Sequence, residues 1–235
     1  MLIRVGLEYF IDGRSMAWAL EHFGCFSYGK DRKEALETLP AAMVEYAAWM
    51  ASHTAHSWLA NEPAEIRLEE TWDGYTINDD FERVTDGYDV DAWFLYDWKP
   101  LDEQDIQRGV QILAWSRADL LETVRGLSAE VLEHTYPGER WNITGILKHV
   151  GGAEWWYLER LGLAFPRAEV PTDAFERLNM VREHLNGLLP SLAGSRQVVG
   201  VDGEFWSPSK MLRRAAWHEL DHVTHIRKLL GKASN

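Results

Sequence analysis

From residue 101 onward the apolar residues return at a helical period in four separate stretches with recognisable starts or stops. That pattern leaves few alternatives to a bundle of helices. The first stretch, Leu101 to Leu127, begins at Asp102, has Asp105 in its first turn, and carries Ile106, Val110, Leu113, Leu120, Leu121 and Val124 on one stripe. Asn142 is a good N-cap for a second stretch running to about Leu163. A third runs from about Asp173 to Leu189, where Pro190 ends it. The fourth has Ser207 as N-cap, Pro208 at the first helical position and Gly231 just past its end. Residues 101–235 are therefore expected to form an all-α four-helix bundle.

Residues 1–100 read differently. They hold 8 Lys and Arg against 19 Asp and Glu, whereas 101–235 hold 16 against 18, so most of the chain's net charge of −13 lies in the first part. Leu2 to Phe10 is rich in branched and aromatic residues, and Asp12-Gly13 signals a turn before Ser15 to Leu20. A short run, Cys25 to Tyr28, ends at Gly29. Asp31 then caps a helix to about His53, with Glu34 as its capping-box partner and Ala35, Leu36, Leu39, Met43, Tyr46, Ala47 and Met50 as its apolar stripe. Pro40 inside that run predicts a kink or a break. Ala64 to Trp72 returns as a fourth strand. The expected fold of 1–72 is α+β: a small antiparallel sheet with one helix on its face. This order, with Gly24-Cys25, Gly29 and the helix start Lys33-Glu34-Ala35-Leu36, resembles the HicB-like domain. Residues 73–100 are acidic and aromatic, with Tyr75, Phe81, Tyr88, Trp93, Phe94, Tyr96 and Trp98. They read as an ordered connector whose aromatics cover a neighbouring surface.

Six of the nine histidines lie in the second part, and the fourth helix contains Trp217-His218-Glu219-Leu220-Asp221-His222-Val223-Thr224-His225. Residues four apart are neighbours on one helix face, so His218 and His222 can reach a single ion. The string also matches H-E-x-x-H, in which Glu219 would be the general base of a zinc protease; composition alone yields about 0.03 such matches. That reading lacks a ligand. Zinc needs a third protein donor, and only His225, one turn on, follows His222. The third donor must come from upstream, and His149 is the best candidate, inside the second helix and followed by Gly151, Gly152 and Ala153, which leave room beside it.

The residues now carry a second resemblance. Trp141-Asn142-Ile143 opening a helix, then Ile146-Leu147-Lys148-His149, is similar to the second helix of the DinB/YfiT-like superfamily. Arg213-Arg214-Ala215-Ala216-Trp217-His218-Glu219-Leu220-Asp221-His222 resembles its last helix. The resemblance implies a four-helix bundle whose metal is held by one histidine of the second helix and an H-x3-H pair of the fourth: His149, His218 and His222. It implies a divalent ion (zinc, nickel or iron) and a small-molecule substrate, with a low-molecular-weight thiol as cosubstrate of a transferase or isomerase. A hydrolase uses the same open metal position.

Several neighbours have two readings each. Glu219, rotated about 100° from His218, is either a base or a solvated or ion-paired carboxylate. Arg214, one turn before His218, binds an anionic substrate or makes a structural ion pair. Asp221 orients a neighbour or sits in a surface pair, and His225 stands behind the ligands or at the surface. The rival function is a non-catalytic binding or regulatory protein, in which the HicB-like domain makes the main contact. The acidic balance speaks against a nucleic-acid partner, which needs clustered Lys and Arg. No segment approaches a spanning helix, and none resembles a signal peptide. The single Cys25 excludes an intramolecular disulfide and fits a reducing, cytoplasmic setting. Beyond the small molecules, a second copy of the chain is a candidate partner.

Overall fold

In the computed structural model the described residues are 2–59 and 65–233. The chain divides into two compact units: Met1–Lys99 with Val198–Lys210, and Pro100–Gln197 with Met211–Asn235.

The first unit is built on a four-stranded sheet in the order β3-β2-β1-β4. Strand β1 (Leu2–Tyr9) turns through Gly13, at φ +90°, into antiparallel β2 (Ser15–Ala19), and β3 (Phe26–Gly29) pairs antiparallel with β2. Helix α1 (Arg32–His53) is capped by Asp31, whose side chain accepts from the Glu34 backbone N–H, and Glu34 accepts from Lys30 N–H in return. Its buried face is Ala35, Leu39, Met43, Tyr46, Ala47 and Met50. The helix runs on through Pro40, whose side chain points to solvent; losing one backbone donor there does not stop it. Strand β4 (Glu65–Asp73) pairs parallel with β1, so the sheet is mixed and not antiparallel. The cause is the crossover: α1 carries the chain back to the end from which β3 started, so β4 runs the way β3 and β1 run. Ala64, the expected start of this strand, lies outside the described residues. Cys25 is buried, and burial pushes its thiol up to about 12, so it behaves as a small apolar side chain.

Residues 73–100 carry more structure than a connector. Strands β5 (Thr76–Ile77), β6 (Arg83–Val84) and β7 (Tyr88–Asp89) form a three-stranded sheet with β5 in the middle. The aromatics divide. Phe94 is fully buried, with its ring so close to Gly6 that a Cβ there would lie 2.8 Å from it, whereas Phe81, Tyr88 and Trp98 are exposed. Later chain joins this unit. Strands β8 (Val199–Val201) and β9 (Glu204–Trp206) make a hairpin across Asp202 and Gly203, both at positive φ as a two-residue turn of this kind requires. Glu204 accepts from the Asp91 backbone N–H at 2.8 Å, and Ser207 donates to the Asp97 carbonyl at 2.6 Å.

The second unit is a helical bundle. Its long helices are α2 (Glu103–Val124), α4 (Ile143–Arg160), α5 (Ala174–Leu188) and α6 (Pro208–Ala233), with a single turn, α3 (Ala129–Leu132), between the first two. Each long helix starts on a polar cap. Asp102 and Asp105 form a reciprocal capping box, Asn142 accepts from Gly145 N–H, Asp173 from Phe175 and Glu176 N–H, and Ser207 from Lys210 N–H. One apolar core draws on all four: Leu120 and Val124 from α2, Ile146, Leu147 and Val150 from α4, Leu178 from α5, and Val223, Ile226 and Leu229 from α6. Leu121, expected on the α2 stripe, is exposed, and Ile112 takes a core place instead. Gly231 lies inside α6 and does not end it. No helix among the described residues is long and apolar enough to cross a membrane.

Candidate metal centre

Helix α4 presents His149 seven residues after its Asn142 cap, on the side that carries Ile146 and Val150. Helix α6 presents His218 and His222 one turn apart, facing inward among Ala215, Val223 and Ile226. The two helices bring the three imidazoles together. Nε2 of His218 is 3.0 Å from Nε2 of His149 and 3.2 Å from Nε2 of His222. All three donor atoms lie within 4.8 Å of one another. His218 and His222 are buried and His149 is half-buried.

Burial pushes all three rings toward the neutral form. It holds His218 well below its ordinary pKa, helped by His222, His149 and Arg214. It takes His222 down to about 3, helped by His149 and His225, and it lowers His149 with a contribution from Arg140. Three neutral imidazoles aimed at one point cannot satisfy one another, because each N–H···N contact uses one lone pair and leaves others facing it. A cation satisfies all of them at once. Two nitrogens bound to one ion at about 2.0–2.1 Å with tetrahedral angles stand about 3.3 Å apart, close to the spacings seen. The residues present therefore fit a divalent ion with three protein ligands and at least one open position.

The rings are held by their surroundings. Trp141, immediately before the α4 cap, stacks on His149 with centroids 4.4 Å apart and planes at 26°. Tyr157 approaches His218 edge-on at 6.2 Å, and Trp217 lies 5.6 Å from it. His222 Nδ1 is buried without a hydrogen-bond partner among the described residues, so on that side the ring is held by packing. His225 turns outward and pairs with Glu139 at 3.0 Å, which takes it out of the triad. The sequence suggests that Gly151 and Gly152 leave room for an ion, but they face Arg177 of α5 instead. A Cβ at Gly151 would stand 3.0 Å from the Arg177 side chain, so these glycines admit α5.

Glu219 is not beside the histidines' open side. It lies in a buried four-charge network with one member from each long helix: Arg117 of α2, Glu154 of α4, Arg182 of α5 and Glu219 of α6. Arg117 donates to Glu219 at 2.5 Å and to Glu154 at 2.9 Å; Arg182 donates to Glu154 at 2.5 Å and to Glu219 at 2.8 Å. Ser116 donates to Glu219, and the remaining guanidinium nitrogens reach the carbonyls of Leu178 and Leu113. Burial alone would push the Glu219 carboxyl up, but Arg182, Arg117 and the Ser116 bond hold it below the ordinary range. A carboxylate so engaged does not take a proton from water, and the general-base reading of Glu219 is set aside. Arg214 lies over Trp217 at 4.3 Å, near enough to His218 to depress its pKa.

Sequence periodicity passed over the network, although its signal was present. Arg117 falls between Leu113 and Leu120, Glu154 between Val150 and Tyr157, and Arg182 between Leu178 and Leu185. Each is a charged residue at a core position of an apolar stripe, and two cations balance two anions.

A helical bundle whose interior gathers three imidazoles from two helices is compatible with holding a metal ion. Residues 112–226 match the family model of the DinB superfamily. No curated protein matches the chain.

Proposed function

We propose that the chain is a metal-dependent enzyme of the DinB type, a four-helix bundle in which His149, His218 and His222 ligate zinc, nickel or iron. The observation that carries this is the convergence of the three Nε2 atoms, with neighbouring pairs 3.0 and 3.2 Å apart inside the bundle. The substrate is a small molecule. A low-molecular-weight thiol serves as cosubstrate in a transfer or isomerisation, or water serves in a hydrolysis. A bound divalent ion supplies acidification of a coordinated thiol or water near neutral pH.

The chain's own residues supply the rest. The three imidazoles, kept neutral by burial, offer lone pairs and no charge, so the ion's positive charge stays available to an anionic nucleophile. Arg214 adds a positive charge beside His218. Glu219 binds no substrate; through Arg117 and Arg182 it pins α6, and with it His218, against the other three helices.

The test is turnover by protein stripped of metal and reloaded with zinc, nickel or iron in turn, assayed for consumption of a small thiol with an activated chloroarene. Metal-dependent consumption above the uncatalysed rate, absent in His218→Ala, is expected. No acceleration with any of the three ions would leave a binding bundle without this chemistry.

A further inference from the structure

The histidine cluster is not equally buried on all sides. His218 and His222 are each 8% exposed, while His149 is half-buried, so His149 is the member of the cluster most open to solvent. The Trp141 indole lies flat against His149, and the Arg140 guanidinium lies over the Trp141 ring, 4.5 Å from its centre. The arrangement occurs twice. On α6, Arg214 lies 4.3 Å over Trp217, whose ring is 5.6 Å from His218. Two guanidiniums are thus each held one indole away from a ligand histidine. Arg140 is exposed and has no ion-pair partner among the described residues; its neighbour Glu139 is taken by His225.

Resting on the metal reading above, we infer that Arg140, carried on Trp141, selects for ligands that bear a carboxylate or comparable anionic group besides the atom that meets the metal. The physical grounds are local. The chain as a whole carries −13, so a general field would repel anions. The charged group of this stack is the Arg140 guanidinium, and a planar guanidinium grips a carboxylate through two parallel N–H bonds. Stacking on the indole holds Arg140 in place, so little side-chain freedom is lost when it binds. The ammonium of a lysine can neither stack so nor bind so.

The inference is tested on the full chain loaded with cobalt, whose thiolate charge-transfer absorption reports ligand binding without turnover. Mercaptopropionate and mercaptoethanol are titrated into wild type, Arg140→Glu and Arg140→Lys. Wild type should bind mercaptopropionate at least fivefold tighter. Arg140→Glu should weaken mercaptopropionate by about tenfold while mercaptoethanol changes less than twofold, and Arg140→Lys should fall between. Equal affinities in wild type, or an equal shift of both thiols in Arg140→Glu, would overturn the role of Arg140 and leave the metal site standing. Cobalt uptake with no thiol band would overturn the thiol cosubstrate and the role of Arg140 while leaving the metal site standing, and no cobalt uptake at all would overturn both readings together.

Discussion

Glu219 stands next to His218 in the chain yet does different work. About 100° around the helix, it faces Arg117 and Arg182, with Glu154 completing a set of two cations and two anions out of water. Such a set adds little stability over an apolar one, but removing one partner leaves an uncompensated buried charge. Glu219→Gln is therefore expected to lower unfolding stability by about 3–5 kcal/mol in a urea titration. A general base would behave otherwise: the variant would keep its stability and lose turnover alone. This residue also marks the limit of what sequence shows. The triad was legible, because i, i+4 spacing pairs His218 with His222 and the capped second helix brings His149 to the same depth. The network was not, because H-E-x-x-H drew Glu219 toward chemistry, while its partners are scattered over three other helices, each a lone charge in an apolar stripe.

At the scale of elements, caps were the clearest text. Asp31, Asp102, Asn142, Asp173 and Ser207 each bond the backbone N–H groups that begin a helix. Strand direction was not readable, since alternation says which face is buried and nothing about which way a neighbour runs; the parallel pairing of β4 with β1 follows from the α1 crossover. The two-residue strands between 76 and 89 are too short to show any period. The β8–β9 hairpin did have a signal, Asp202-Gly203 between Val199-Gly200-Val201 and Glu204-Phe205-Trp206, that helical periodicity does not detect. The junction between β3 and α1 turns on Gly29. A Cβ there would lie 2.2 Å from the Ala35 backbone nitrogen, and backbone cannot step aside as a side-chain tip can. Gly29→Ala is expected to lose at least 1–3 kcal/mol, about the cost of overpacking, with a matching drop in Tm. An unchanged Tm would mean that the α1 cap is looser than its bonds indicate.

For the molecule as a whole, sequence composition separates an acidic α+β part from a helical part, but compactness follows contacts and not chain order. Val198–Lys210 packs with Met1–Lys99, through Glu204 to Asp91, Ser207 to Asp97 and the Phe205 ring against Trp93 at 5.7 Å. A fragment of residues 1–99 therefore lacks part of its own core cover. It should melt without a cooperative transition by circular dichroism and bind a hydrophobic dye, where the full chain does neither. The helical part is complete only with residues after 210, which bring His218 and His222 to His149. Metal content is the most direct test of the central claim. The purified chain is loaded with zinc, nickel or iron, dialysed, and measured by elemental analysis beside His149→Ala, His218→Ala and His222→Ala, each checked for native helicity. The account predicts about one ion per chain in the wild type and loss in all three variants, because an open catalytic site is held by three protein ligands and two imidazoles alone hold the ion too weakly to survive dialysis. Retention of the ion in any one folded variant, or no ion in the wild type with any of the three metals, would contradict it.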